Sequence, residues 1–300
     1  MIIHANPKKI KRGNGFFMTI RTDLALESCE TLAPQTPGLH VETEETPQAK
    51  VTRIDVLNAQ GAAAAGKPVG RYVTVEVAPF ATHAQYIDGS FPTLRAELSR
   101  MLPQQGEILV AGLGNPRITP DAFGPRCAAM MFATRHITGE LLAQTGLQAL
   151  RPVSVLATGV LGETGAEASE WIRGAVQMLH PAAVVALDAL AARSAERLGN
   201  TVQLCDTGIV PGSGVGNARQ EISASTVGVP VIAVGVPTVV DAAALLAQAR
   251  GEADTATAAM MVTPREIDLL IERAAKLTAL ALNCALQPEI SPEDMLILTA

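Results

Sequence analysis

The apolar run EILVAGLGN, residues 107–115, is brought to an end by glycines, which is the pattern of a buried strand followed by a loop. Similar runs recur downstream, and helix-favouring sequence lies between them, most clearly over residues 166–179. Strands that alternate with helices in this way predict an α/β fold with parallel strands. The further runs are VSVLATG (153–159), AAVVALDAL (182–190) and VPVIAVGVP (229–237).

The N-terminal part of the chain is richer in β-forming residues. VTRIDVLN (51–58) and RYVTVEVAPF (71–80) predict a pair of strands on either side of a Gly/Ala-rich connection. The Pro-, Thr- and Glu-rich residues 34–48 predict a loop, and residues 93–102 a short helix. We therefore expect one α/β domain: a central, mostly parallel sheet flanked by helices, with a small β-rich N-terminal excursion.

Several helices are predicted in the second half. Trp171, Ala175 and either Met178 or Leu179 recur at helical spacing and predict the apolar face of the helix over residues 166–179. Helices are expected after residue 190 and from about residue 239, and a flexible excursion over residues 251–259. TPRE (263–266) has the form of a capping box and predicts a helix from there to about residue 286.

Composition excludes several classes of protein. Of 300 residues, 48% are apolar and 17% charged, which excludes disorder over most of the chain. The net charge of −6 argues against a general nucleic-acid binder, and 3% aromatic residues argue against stacking platforms. The four cysteines and five histidines are scattered, so neither a disulfide framework nor a metal site is predicted. Prolines and Asp241 interrupt the most apolar stretch, residues 227–249, so we expect a cytoplasmic protein without a membrane span.

Three carboxylates lie at or just beyond the carboxyl ends of predicted strands, where sites of open α/β sheets cluster. They are Asp121, Asp188 and Asp206. The first follows the run over 107–115, the second is near the end of AAVVALDAL (182–190), and the third follows TVQLC (201–205). Two carboxyl groups brought together can share a proton, so that one activates a water molecule while the other acts as an acid. This is a route to peptide hydrolysis without a metal. The alternatives are structural: Asp188 caps a helix or ties a loop, and Asp121 is a helix N-cap.

Two shorter motifs are weak signals. Residues 206–208 spell Asp-Thr-Gly, the triplet of pepsin-like proteases, but those enzymes are all-β and need two copies. GSGVGN (212–217) lacks the spacing of a dinucleotide loop and has no phosphate-binding lysine, so a glycine-rich turn at the rim of an active site is the better interpretation. Ser194 and Ser213 lack the context of a serine nucleophile.

Taken together, long segments in a fixed order resemble the germination proteases of spore-forming bacteria. GLGNPRITPDAFGP is also similar to hydrogenase-maturation proteases, which share the α/β architecture. The matching segments are RTDLALE (21–27), KPVGRYVTVEV (67–77), GLGNPRITPDAFGP (112–125), TRHI (134–137), ALDALAARS (186–194), DTGIVPGSGVGN (206–217), GVPVIAVGVPTVVDA (228–242) and MMVTPREIDLLI (260–271).

The resemblance implies an endopeptidase made as a self-processing zymogen, which degrades small acid-soluble spore proteins on germination. It implies that Asp121 and Asp188 are the catalytic aspartates, with Asp206, Asn115 and Arg193 as possible additions. It also implies a homotetramer in the forespore and spore core, with no metal or organic cofactor and no direct contact with nucleic acid or membrane. Family substrates are cut after Glu, before a large apolar residue and then Ala.

The N-terminus contains a sequence of that kind, Asp23-Leu24-Ala25. We expect self-cleavage between Asp23 and Leu24, which divides the chain into an extension and prosegment, residues 1–23, and a peptidase domain, residues 24–300. Met18 is the expected natural start. An acidic cleavage segment calls for a local cation in the pocket. The candidate cations are Arg117, Arg126, Arg135, Arg193 and Arg219.

Three rival functions stay open. A hydrogenase-maturation-type endopeptidase would use the same scaffold but needs a metal pocket, and of the histidines only His136 lies on a matching segment. A non-catalytic anion-binding protein would use Asp121 and Asp188 as structural caps. A dinucleotide enzyme would need a cofactor at the glycine-rich turn.

Overall fold

The computed structural model describes residues 22–33, 35–82, 86–87, 89–137, 139–145, 150–250 and 260–299, and the predicted start at Met18 and the excursion over 251–259 lie outside them. The strands are β1 (Leu39–Glu45), β2 (Ala49–Val56), β3 (Gly70–Val77), β4 (Ile108–Leu113), β5 (Val153–Gly159), β6 (Ala183–Ala192), β7 (Thr201–Cys205), β8 (Val231–Asp241) and β9 (Met261–Val262). The helices are α1 (Ala25–Cys29), α2 (Ala59–Ala65), α3 (Ser90–Met101), α4 (Phe123–Ala129), α5 (Gly139–Thr145), α6 (Leu161–Thr164), α7 (Ala168–Leu179), α8 (Ala224–Val227), α9 (Ala242–Arg250), α10 (Ile267–Leu286) and α11 (Pro292–Leu298), with 3-10 turns at Thr119–Asp121 and Ala195–Arg197.

These strands form one sheet in the order β1-β2-β3-β7-β8-β6-β4-β5, with β9 paired to β8. The four strands β8, β6, β4 and β5 run parallel. The strands β1, β2, β3 and β7 are antiparallel to their neighbours and extend the sheet on one side. The α/β class with a parallel central region is confirmed, and the β-rich N-terminal part belongs to the same sheet.

Helices cover both faces of the sheet. On one face α3, α4 and α10 form the larger core, in which Phe123 packs with Leu187 of β6. On the other face α7 packs through Ile172 against Ala186 of β6. Side chains alternate along a strand, so Asp188, two residues after Ala186, lies on the face that α7 covers. The Asp188 side chain is therefore on the opposite side of the sheet from the larger core formed with α3, α4 and α10.

The loop predicted over residues 34–48 is wrong in part, because residues 39–45 form β1. The strand pairs with β2 over its whole length although its side chains are almost all exposed. Val41 and Thr43 favour an extended backbone, while the interleaved glutamates are typical of an edge strand that must not pair with another chain. The polar composition of residues 34–48 is typical of exposed chain, and exposed chain can form an edge strand as well as a loop.

The end of β8 also differs from prediction. Pro237 suggested that the strand stops there, yet β8 continues to Asp241 and the next helix begins at Ala242. β7 pairs with β8 only over Ala233, Val234 and Gly235, so Pro237 lies where that side of β8 lacks the β7 ladder. The helix expected after β6 is only the 3-10 turn at Ala195–Arg197.

Two helix predictions are wrong in detail. The Thr263 hydroxyl donates to the Pro264 carbonyl instead of capping a helix, and α10 begins only at Ile267, although it ends at Leu286 as expected. In α7, Trp171 is 47% exposed, and Met178 is also exposed, whereas Ile172 is buried. The apolar residues Trp171 and Met178 were therefore assigned to the wrong face.

Gly124 fixes how closely α4 approaches the sheet. A Cβ atom at this position would overlap the carbonyl oxygens of Leu113 and Leu187, which belong to the backbone and cannot move aside. We expect Gly124→Ala to lower the free energy of unfolding by about 1–3 kcal/mol, measured by urea denaturation. Gly174 in α7 has open space at the same atom, so Gly174→Ala should raise stability by about 0.5–1 kcal/mol. Equal effects of the two substitutions would contradict this packing.

Candidate functional site

Asp188 is a buried carboxyl in the middle of the sheet. It lies in β6 between β4 and β8, and only 4% of the residue is exposed. Burial raises the pKa of Asp188 well above the ordinary value, and the carboxylates of Asp121 and Asp23 raise it further. Its one hydrogen bond given by the structure is accepted by Oδ1 from the Ala189 N–H, at 3.0 Å. Asp188 therefore does not cap a helix, and it favours the protonated form.

Asp121 lies at the carboxyl edge of β4, at the end of the Thr119–Asp121 turn. Its Oδ2 accepts the Asn115 N–H at 2.7 Å, and the Thr238 hydroxyl donates to the Pro120 carbonyl, which fixes the turn on β8. Gly114 has φ +108, and a Cβ atom there would overlap the Asp121 backbone, so the turn requires glycine. Burial raises the pKa of Asp121, and the hydrogen bond from Asn115 opposes that rise.

The N-cap alternative for Asp121 is not what the structure shows. The first turn of α4 donates no backbone N–H to a capping side chain, and the Asp121 carboxylate instead holds the loop by accepting the Asn115 N–H. Asn115 thus contributes its N–H to the site, while its own side chain accepts the Arg117 N–H at 2.9 Å. The structure therefore places Asn115 beside Asp121, as expected, but through its main chain.

Asp206 does not lie with these carboxyls. β7 is antiparallel to β8, so its carboxyl end lies at the amino end of the parallel strands. There Asp206 accepts the Arg71 N–H at 2.8 Å and ties β7 to β3. We predicted Asp206 at the same edge as Asp121 and Asp188 because it follows a strand. The strand β7 runs opposite to the parallel strands, so its carboxyl end lies at the other edge.

The segment at the predicted cleavage point is docked against the end of β6, with a backbone bend at Asp23 and an extended conformation at Leu24, directly before α1. The Asp23 N–H donates to the Ala191 carbonyl at 2.9 Å. The Asp23 carboxylate accepts the Ala191 N–H at 2.8 Å and the Ser213 hydroxyl at 2.7 Å. The Leu24 side chain is fully buried in a cluster with Leu190. The residues on both sides of the Asp23–Leu24 bond are therefore held.

The peptide bond itself is also gripped. The Asp23 carbonyl oxygen accepts Lys67 Nζ at 2.8 Å and Gln203 Nε2 at 3.0 Å. Gln203 Oε1 accepts the Ala25 N–H at 2.6 Å, so one side chain spans the bond. Burial lowers the pKa of Lys67, and the nearby Asp23 carboxylate opposes that change. The carbonyl of this peptide bond, the acidic side chain before it and the apolar side chain after it each have a partner, as the groups of a bound substrate would.

Glu27 locks the following helix to the sheet. Its buried carboxylate accepts the backbone N–H groups of Arg193 and Ser194 at 2.7 and 2.8 Å, as well as the Thr22 hydroxyl. The Arg193 guanidinium pairs with Glu30 at 2.7 Å. Arg193 therefore holds α1 in place, and its hydrogen bonds go to that helix instead of to Asp188.

The acidic side chain of Asp23 is not met by one of the predicted arginines. Its hydrogen bonds come from a hydroxyl and a backbone N–H, and the cation beside it is Lys67. Arg117 and Arg135 pair with Glu163 and Glu107 respectively. The glycine-rich turn does lie at the rim of this cleft, because Ser213 and Gly214 contact Asp23.

Sequence reasoning missed Lys67, Gln203, Ser213 and Glu27. Lys67 and Ser213 do lie within segments that carry the family resemblance, but no motif marked them individually. Gln203 lies in a short strand, where nothing in the sequence distinguishes it from a structural residue. Within the described residues, no group of three or more His, Cys, Asp or Glu side chains is arranged to hold a metal ion. None of the helices in that same part of the chain is long and apolar enough to span a bilayer.

An α/β sheet that carries a buried carboxyl and a half-buried one, both of raised pKa, beside a peptide bond of its own chain has the features of a peptidase. Comparison with known proteins agrees, since the family model of germination proteases matches residues 20–250. The chain belongs to the germination protease family.

The relatives include a germination protease of Clostridium perfringens (strain ATCC 13124), 38% identical over 92% of this chain and 98% of that protein. The germination protease of Caldanaerobacter subterraneus subsp. tengcongensis is 37% identical over 92% of this chain and 97% of its own. The germination protease of Priestia megaterium is 40% identical over 76% of this chain and 65% of that protein. A solved structure, the [NiFe] hydrogenase maturation protease HycI from Thermococcus kodakarensis KOD1, covers 62% of this chain and 98% of its own at 20% identity and a TM-score of 0.36.

Proposed function

We propose that this protein is an endopeptidase made as a zymogen, which removes residues 1–23 by cutting its own Asp23–Leu24 bond. The observation that carries the proposal is the docked segment itself. Its carbonyl oxygen, its acidic side chain and its apolar side chain each have a fitted site next to Asp188. Because side chains of Leu190 and Asp188 share one face of β6, the Leu24 site is one strand repeat, about 7 Å, from the catalytic carboxyl.

In this proposal Asp121 and Asp188 divide the chemistry between them. Asp188 is the more buried carboxyl and keeps its proton, so it serves as the general acid. Asp121 accepts the Asn115 N–H, which stabilises its charged form, so it serves as the general base for a water molecule. The influence of the Asp121 charge on the pKa of Asp188 supports a coupled pair.

The proposed substrate rests on membership of the family and on the contacts of the acidic Asp23 side chain. We propose small acid-soluble spore proteins as substrates, cut after an acidic residue that occupies the site of the Asp23 side chain. We also propose a homotetramer that acts in the forespore and spore core without a metal or organic cofactor, and without binding nucleic acid or membrane itself. These proposals rest on the resemblance to the germination protease family.

Intact-mass spectrometry tests the processing step. We expect the chain to shorten until it begins at Leu24, and an added small acid-soluble spore protein to be cut after Glu. Asp23→Ala removes the acceptor of the Ala191 N–H and Ser213 hydroxyl, which costs about 1–3 kcal/mol, or roughly 10- to 100-fold in the rate of self-cleavage.

Thr36→Ala is a control outside the docked residues, because the Thr36 hydroxyl donates to the Ala33 carbonyl at 2.7 Å in an exposed turn. A mature chain that starts away from Leu24, or an Asp23→Ala chain processed at the normal rate, would overturn the proposed cleavage site. A shortened enzyme that leaves the spore protein whole would overturn the substrate assignment alone.

A further inference from the structure

We propose that Lys67 and Gln203 are catalytic residues, forming the donor pair that stabilises the negative oxygen of the tetrahedral intermediate. This inference rests on the proposed function, because it assigns the donors of that same site. In the uncut chain both side chains already hold the carbonyl oxygen of the bond to be broken.

The geometry is that of an oxyanion hole. The two donors already hold the Asp23 carbonyl oxygen, at 2.8 and 3.0 Å, before the reaction begins. An oxyanion hole places its donors about 2.7–3.1 Å from the oxygen of the intermediate, which a small movement of the carbonyl oxygen as the carbon becomes tetrahedral would maintain. A carbonyl oxygen carries a partial charge, whereas the tetrahedral oxygen carries a full one. Both hydrogen bonds therefore strengthen as the water molecule adds, and only such differential binding accelerates the reaction.

Gln203 is oriented before the reaction. It is buried in β7, only 6% exposed, and its Oε1 accepts the Ala25 N–H, so its amide nitrogen must point at the Asp23 carbonyl. The contacts on both sides of the bond go to the main chain. The same main-chain contacts are therefore available to another peptide that enters in this register and conformation, whatever its side chains.

Lys67 supplies the positive charge. Its Nζ donates to the backbone carbonyls of Thr22 and Asp23, at 3.3 and 2.8 Å. The ammonium is held by neutral carbonyls beside the Asp23 carboxylate, and a full negative charge on the carbonyl oxygen would interact with it more strongly than a neutral carbonyl does. Formation of the oxyanion provides that charge at the correct place.

The register of the sheet brings the donors to the same face as Asp188. Gln203 of β7 and Asp188 of β6 both pair with Gly235 of β8, so they lie in one row, about 10 Å apart between Cα atoms. The Leu190 side chain lies over Gly235, between them, and Leu24 packs in a cluster with Leu190. The residue that follows the held carbonyl is therefore on the Asp188 side of Gln203.

The reaction balances without further reagents. Water oxygen adds to the Asp23 carbonyl carbon, its proton passes to Asp121, and the C=O π electrons move to the oxygen held by Lys67 and Gln203. The electrons then return, the bond to Leu24 nitrogen breaks, and Asp188 gives its proton to that nitrogen. The products are a carboxyl group on Asp23 and an amino group on Leu24.

Self-cleavage kinetics of the full chain test the assignment. Lys67→Met and Gln203→Met should each slow the first-order loss of residues 1–23 by about 10²–10³-fold. Lys50→Met is the matched control, because within the described ranges Lys50 of β2 pairs with Glu76 of β3, at 3.9 Å, and it should process at the normal rate.

Different results would overturn the proposed function and the donor pair. If the unaltered chain neither loses residues 1–23 nor digests a spore protein, the proposed function fails and the donor pair with it. If the unaltered chain processes itself and the Asp188→Asn chain does not, while Lys67→Met keeps the normal rate, only the donor pair is overturned.

A spectroscopic measurement separates donation from folding. The sequence contains two Asp–Leu peptides, at 23–24 and 268–269. In an uncut Asp188→Asn chain labelled with carbon-13 carbonyl Asp and nitrogen-15 Leu, two carbonyl–amide signals result. Adding Lys67→Met should move the Asp23 carbonyl signal upfield, as a lost donor does, and leave the Asp268 signal in place. An unmoved Asp23 signal would overturn the contact, and the Asp268 signal reports whether the fold is kept.

Discussion

The Asp188→Asn chain is expected to keep its full mass and to lose proteolysis of spore proteins by about 10²–10⁴-fold, the contribution of general acid–base catalysis. Asparagine preserves the size of the side chain, and its oxygen can still accept the Ala189 N–H. It cannot donate the proton that the leaving nitrogen needs. Time-resolved intact-mass spectrometry of the purified protein, with and without substrate, measures both losses.

Asp121→Asn should give a comparable loss, because the Asn115 N–H can still be accepted while the base is gone. Asp206→Asn is the matched control: the substitution is the same, in a residue that also accepts a backbone N–H, but at the other edge of the sheet. Normal processing by the Asp188→Asn chain would overturn the carboxyl pair. A large loss in Asp206→Asn would show that position in the sheet is not what separates these aspartates.

Periodicity predicted the parallel strands because they are continuously apolar. β6 is buried almost throughout, and its sequence is accordingly an apolar run that predicts a central strand. A carboxyl group in such a run is unusual, which is why Asp188 could be singled out from the sequence. Direction was harder to predict. β7 is as buried as its parallel neighbours, and a short apolar strand carries no mark of whether it runs with or against the next one. The misplacement of Asp206 follows from that single ambiguity.

The donors of the site were out of reach for a different reason. Lys67 follows a glycine that ends α2, and its local sequence describes only a loop. It becomes a buried cation only because residues 22–25 pack over it, in contacts that span more than 40 positions of the chain. Gln203 is separated from Ala25 by 178 positions. Such long-range pairs depend on register, which no local pattern specifies.

The pH dependence of stability gives the last prediction, and it isolates Asp188 from catalysis. An Asp121→Asn chain, expected to stay uncut, is compared with the Asp121→Asn/Asp188→Asn chain by urea denaturation at several pH values. Burial and Asp23 raise the pKa of Asp188 in the folded protein above that of the unfolded chain. The folded state therefore binds more protons, and the stability that Asp188 contributes is complete only below the unfolded pKa of about 3.9.

As pH rises above that value, the chain that keeps Asp188 should lose stability relative to the double variant by about 1.4 kcal/mol per pH unit, until the folded pKa is reached and the difference levels off. Added in the same background, Glu289→Gln removes an exposed carboxylate and serves as the control for the loss of one charge. A difference that stays constant between about pH 4 and pH 7 would mean that Asp188 ionises as an ordinary carboxyl. The general acid would then have to be sought elsewhere, whereas a rising difference shows that the fold itself keeps this proton in place.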